Sequence, residues 1–142
     1  MDSPREQILK AVYAALNGAD KPTGTIVHRH RTRPVDQDDL PSIVSFFLRE
    51  RVDRVIRSVP MTEERVLELG VVVRVEGDPT PDEALDPLLT WCNVALLTDQ
   101  TLGGLAMRIE RRSIDTAAEE TNIPVGGALI KYEIQYRAPA LS

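Results

Sequence analysis

The residues best suited to chemistry in this 142-residue chain lie within its first third. His28 and His30, its only histidines, stand two apart on a segment that reads as a strand. They therefore share a face and could offer two imidazoles to one metal ion. Asp36, Asp38 and Asp39 follow, an acidic cluster able to attract a hard divalent cation. Nothing nearby marks a third ligand, so the plainer reading is two solvated histidines on an edge strand. The acidic cluster likewise reads as a turn whose aspartates bond nearby backbone N–H groups. Hydrolysis by a triad has no visible candidate, since no serine or cysteine stands in a nucleophile-elbow setting. The glycine pairs Gly103-Gly104 and Gly126-Gly127 lack the spacing of a phosphate-binding loop. Cys92, the single cysteine, sits on an apolar helical stripe and is expected to be a buried, inert thiol. One cysteine also excludes an internal disulfide or a Cys-rich zinc site. These residues predict a chain with no catalytic group, no metal and no cofactor.

Charge points elsewhere. Arg29, Arg31 and Arg33 alternate through the stretch HRHRTRP and form a row on the face opposite the histidines. A net charge of −5 and 4% aromatic residues argue against nucleic-acid binding. An acidic protein surface suits the row better, including Asp36, Asp38 and Asp39 of a neighbouring copy. A second group, Arg49, Arg51, Arg54, Arg57 and Arg65 beside Glu50, Asp53, Glu63 and Glu64, has the mixed charge of an interface rim. Of the 17 basic residues 14 are arginine, whose planar, weakly hydrated fork is well tolerated at interfaces. A genome rich in G and C would give the same bias through its codons.

Size and composition bound the scaffold that must carry these groups. A chain of this length with 42% hydrophobic and 27% charged residues suits one domain, residues 1–142, with an aliphatic core. The start of the chain carries no basic region followed by a long apolar run, and no stretch approaches the roughly 18 apolar residues of a membrane span. Assembly in the cytoplasm, away from membranes, is the expectation.

Two helices stand out. Ser3-Pro4-Arg5-Glu6 matches a capping box, and Ile8, Leu9, Val12, Tyr13 and Leu16 then line one face of a helix over 4–17, stopped by Asn17-Gly18. Thr80-Pro81-Asp82-Glu83 is a second capping box, followed by Leu85, Leu88, Leu89, Cys92, Ala95 and Leu96 at helical spacing. Pro87 falls inside that pattern and predicts either a kink or a restart capped by Asp86. Residues 25–32 read as a polar edge strand, and 42–48 as a buried one. Over 65–76, Leu67, Leu69, Val71, Val73 and Val75 alternate with Arg65, Gly70, Val72, Arg74 and Glu76 assigned to the other face. Residues 49–63 read as a long charged loop, making an extended β-hairpin over 43–76 whose tip leaves the domain. Leu105, Met107 and Ile109 suggest a further strand, 113–124 a loop, and Ile130, Tyr132, Ile134 and Tyr136 a final strand. The order α-β-β-β-α-β-β predicts an α+β domain, with a mixed, mostly antiparallel sheet of about five strands and both helices on one face.

The order and spacing of these segments resemble the tail terminator proteins of long-tailed bacteriophages, the minor tail protein U family. The likeness covers most of the chain. Residues 5–16 (REQILKAVYAAL) are similar to the family's opening helix. The turn Asp36, Asp39, Leu40, Pro41 and Ile43 before a buried strand is the most specific part. The central helix after a proline-acidic start, and the strand Lys131-Tyr132-Glu133-Ile134-Gln135-Tyr136, also resemble it; Pro87 departs from it. The resemblance implies a virion protein at the head-proximal end of the tail and no enzyme. A hexameric ring would sit on the last ring of the tail tube, stop its growth and present a surface for head attachment. Its partners would be its own copies, the major tail tube protein and the head–tail connector or neck proteins, with no membrane and no sequence-specific nucleic acid. Arg29 to Asp39 would then serve the subunit contact, and the hairpin from Arg49 to Arg65 would reach the tube or a neighbour. The alternatives are a head–tail connector or tail-completion neck protein, a small metal-dependent enzyme, and a protein-binding adaptor that forms no ring.

Overall fold

The computed structural model describes residues 2–29, 41–76, 81–119 and 125–142. In chain order these form α1 (Pro4–Leu16), β1 (Ile26–Arg29), β2 (Ser42–Ile56), β3 (Thr62–Glu76), α2 (Pro81–Leu97), β4 (Arg108–Glu119) and β5 (Val125–Pro139). The five strands make one sheet in the order β1-β2-β3-β5-β4. β1 runs parallel to β2, and the other pairings are antiparallel. The domain is α+β, as its segment order predicts.

α1 begins where its sequence says it should. The Ser3 hydroxyl oxygen accepts the Glu6 N–H at 3.1 Å, and Pro4 takes a position where no N–H is needed. The other half of the expected capping box does not form, because the Glu6 carboxylate turns away to Arg29. Ile8, Leu9, Val12 and Leu16 are buried, and the Asn17 N–H closes the helix on the Tyr13 carbonyl. α2 passes through Pro87 as one helix, so no restart occurs at Asp86. Pro87 is exposed; its ring points away from the core, and only the bond to the Glu83 carbonyl is given up. Thr80, the expected cap, lies outside the described residues. After α2 the Asp99 carboxylate accepts the Thr101 hydroxyl and the N–H groups of Gly103 and Thr101, which hold it below the usual carboxylate range. This turn needs positive φ at Leu102, Gly103 and Gly104, and two of these three positions are glycine.

Both helices pack on one face of the sheet. Leu85, Leu88, Cys92 and Leu96 of α2 meet Leu67, Leu69, Val71 and Val73 of β3 and Ile130, Tyr132 and Ile134 of β5 in one core. The indole N–H of Trp91 ties the helices together by donating to the Leu16 carbonyl at 3.1 Å. No helix among the described residues is long and apolar enough to cross a membrane.

Two expectations fail for a shared reason. Residues 49–63 are not a loop: β2 continues to Ile56, and β3 begins at Thr62. The β2–β3 register shifts between Phe47 and Arg49 and again between Val52 and Arg54. Each shift inverts the side-chain alternation while the ladder continues, which erases the period-two signal. Residues 113–119 are likewise strand, as part of β4, with a shift between Arg111 and Ser113. Residues 105–107 precede that strand. The hairpin tip does not leave the domain as a bare pair of strands, since β5 follows β3 as far as Pro139 opposite Thr62.

On the uncovered face Phe46 lies across Gly70, its register partner. A Cβ added at Gly70 would stand 2.5 Å from the Phe46 ring. Gly70→Ala should therefore cost about 1–3 kcal/mol through overpacking. Adding Phe46→Ala should recover part of that loss in a denaturant titration, because the clashing ring is gone.

Candidate interaction surface

The groups singled out by sequence separate into three sets. Arg29 is engaged within the molecule. Its two Nη atoms donate to the Glu6 carboxylate at 2.5 and 2.8 Å, joining β1 to α1. This pairing raises the Arg29 pKa and lowers that of Glu6. His28 is half-buried on β1, opposite Val44 of β2. His30, Arg31, Arg33, Asp36, Asp38 and Asp39 lie outside the described residues. Among the described residues no group of three or more His, Cys, Asp or Glu side chains is placed to hold a metal ion.

Arg65 and Glu64 are not free interface charges. Arg65 is on the same face of β3 as Leu67, not the opposite one, and only 4% exposed. It donates to Glu63 Oε2 at 2.8 Å, to the Pro139 and Ser142 carbonyls at 3.1 and 2.9 Å, and to the Ser142 hydroxyl at 3.2 Å. This fastens the chain's last residues over the sheet. Glu64 is buried on the other face and accepts from Arg137 at 2.8 Å. Arg49 pairs with Glu68, and Arg51 with Glu133 at 3.3 Å. Glu133 also takes Arg112 at 2.8 Å, and Arg112 and Arg108 share Glu110. Together they form a ladder of alternating charge across β2, β3, β5 and β4 on the face opposite the helices. Burial works against the Glu133 carboxylate, but the bonds from Arg112 and Arg51 outweigh it and hold its pKa down.

A second polar chain, not visible in the sequence, closes the core on the helix side. The Arg5 guanidinium of α1 donates to Glu50 Oε2 at 2.6 and 3.2 Å. The Tyr136 hydroxyl of β5 donates to the other Glu50 oxygen. Burial and then this bond raise the Tyr136 pKa, and Arg65 lies against the same hydroxyl. Arg5 and Glu50 are 45 residues apart, and Tyr136 is 86 beyond Glu50, so no local pattern announces them.

Beyond that chain the β2–β3 ladder continues without helical cover. Val52 and Val55 on β2 and Val59 and Met61 in the turn are exposed. Arg54 and Arg57 lie among them, exposed and in no ion pair among the described residues. β1 pairs only with Ser42 to Ser45, so the β2 edge past Ser45 has no strand partner among the described residues. Exposed apolar side chains interleaved with arginine on a ladder of fixed geometry are the make-up of a protein-binding surface. In comparison with known proteins, no family model matches the chain and no curated protein matches it in sequence.

Two measurements check this description. Glu50→Ala should cost about 2–3 kcal/mol in chemical denaturation, because Arg5 and Tyr136 lose their common partner, and Glu50→Gln should cost less. Burial pushes the Cys92 thiol up to about 12, so below that pH it stays protonated in the native state. A thiol reagent at pH 8 should leave the folded protein unmodified and label it fully in denaturant.

Proposed function

We propose that this chain is a structural virion protein of a long-tailed bacteriophage. In this reading it is a tail terminator that closes as a hexameric ring on the end of the tail tube and hands that end to the neck proteins. The observation that carries the reading is the far end of β2 and β3, where exposed valines and Met61 accompany Arg54 and Arg57, which are in no ion pair among the described residues. Such a surface is costly to leave in water and fits a subunit that spends its working life in contact with others. The segment order and the motifs already described add the resemblance to tail terminators. The terminator matches the tube end on one side and differs on the other, so no further tube ring is accepted.

The experiment is a capping assay with tail tubes assembled in the absence of a terminator. Added protein should arrest lengthening and appear as an extra disc at one end in negative stain. Val52→Asp with Val55→Asp should fold normally, judged by its denaturation midpoint, yet lose capping by at least about tenfold. Tubes that lengthen unchecked in the presence of wild-type protein sink the terminator reading. Binding to head-side neck rings and not to tube ends would assign the chain to the connector class instead.

A further inference from the structure

The two ends of the sheet carry surfaces that match each other. At one end is the β2–β3 turn, with Val55, Val59 and Met61 exposed. Arg54 and Arg57 there stand beside Asp53, while Glu63 and Glu64 across the ladder are already paired with Arg65 and Arg137. At the other end, where β3 finishes, an open groove of about 480 Å³ is lined by Pro22, Pro41, Val75, Pro87 and Leu88, with Glu76 at its wall. Asp86 flanks Pro87, and Asp20 precedes Pro22 by two residues; all three acids are exposed. Glu76 and Asp86 make no ion pair among the described residues. Lys21, between Asp20 and Pro22, donates to the Asn17 side chain, and the three acids outnumber it. The groove is therefore apolar at its floor and net acidic at its edge, while the turn is apolar at its tip and net basic beside it.

One molecule cannot join its own two surfaces. β3 runs from the turn to the groove over 15 residues, which spans roughly 50 Å. A second copy supplies what is missing. We propose that copies of this chain associate head to tail, the β2–β3 turn of one inserting Val59 and Met61 into the Pro22–Leu88 groove of the next. Arg54 and Arg57 then face Glu76 and Asp86. Because two different patches meet, the contact is heterologous: it closes into a ring or extends as a chain of subunits. This deepens the ring reading by naming the surfaces that touch, and rests on it only in taking the occupant to be another copy.

Charge exchange between copies tests the contact by sedimentation velocity up to about 1 mM protein. Arg54→Glu with Arg57→Glu makes turn and groove both acidic; Glu76→Arg with Asp86→Arg makes both basic. Each variant alone should associate at least about tenfold more weakly than wild type. An equimolar mixture should recover association to within about threefold, because every junction in an alternating assembly again joins opposite charges. A misfolded variant cannot give that recovery, so the mixture separates lost contact from lost fold. Wild-type protein that remains monomeric throughout, a single variant that associates as wild type does, or a mixture that fails to recover overturns the proposal. Recovery together with no capping of tail tubes would leave the contact standing and remove the terminator reading.

Discussion

A 15-residue strand reaches roughly 50 Å, whereas the 17-residue α2 reaches roughly 25 Å, so two such helices cannot roof β2, β3 and β5 from end to end. Most of the architecture answers to that mismatch. Where helices lie on the sheet, the residues beneath are fully buried and mostly aliphatic, from Ile43 on β2 to Ile130, Tyr132 and Ile134 on β5. Past the helices the same strands continue with a different composition. The domain thus has a roofed half that supplies stability and an unroofed half that must find its partners elsewhere.

The boundary between the halves is polar and closely bonded. Glu50 would be an uncompensated charge at the margin of the core if Arg5 and Tyr136 did not both reach it. Arg65, a few residues from the turn, is neutralised by Glu63 and by carbonyls of the final residues. These bonds join α1, β2, β3, β5 and the end of the chain at one level of the sheet. They also fix the angle at which the unroofed half leaves the core, so its exposed side chains are presented on a rigid support. An interaction surface gains from this, because less conformational freedom remains to be lost on binding.

Among the described residues no second layer covers the face opposite the helices. Phe46 covers the gap above Gly70, and the ladder from Arg51 through Glu133 and Arg112 to Glu110 runs from β2 past β3 to β5 and β4. Exposed pairs of this kind contribute little individually. Their alternation does keep the face well solvated and poorly disposed to stack on other sheets. Bulges after Phe47 and Val52 twist the edge of β2, which has no strand neighbour past Ser45 among the described residues. Indiscriminate edge pairing is discouraged, while the apolar residues near the turn stay available.

Local chemistry in the sequence determined the parts whose causes are local. The Ser3 cap, the stripe Ile8-Leu9-Val12-Leu16, the α2 stripe and the alternation of β5 all follow from spacing a few residues apart, and with them the α+β order. The inert setting of Cys92 followed in the same way. Only the tertiary structure decided the rest. The bulges that extend β2 and β4 depend on neighbouring strands, and a shift of one residue hides a strand from any periodic reading. Arg29 and Arg65, candidates for an outward role by type and spacing, were claimed by Glu6 and by the final residues, partners brought near only by folding. Charge is legible in a sequence, but whether a charge is spent inside the molecule or left for a partner depends on what the fold places within reach.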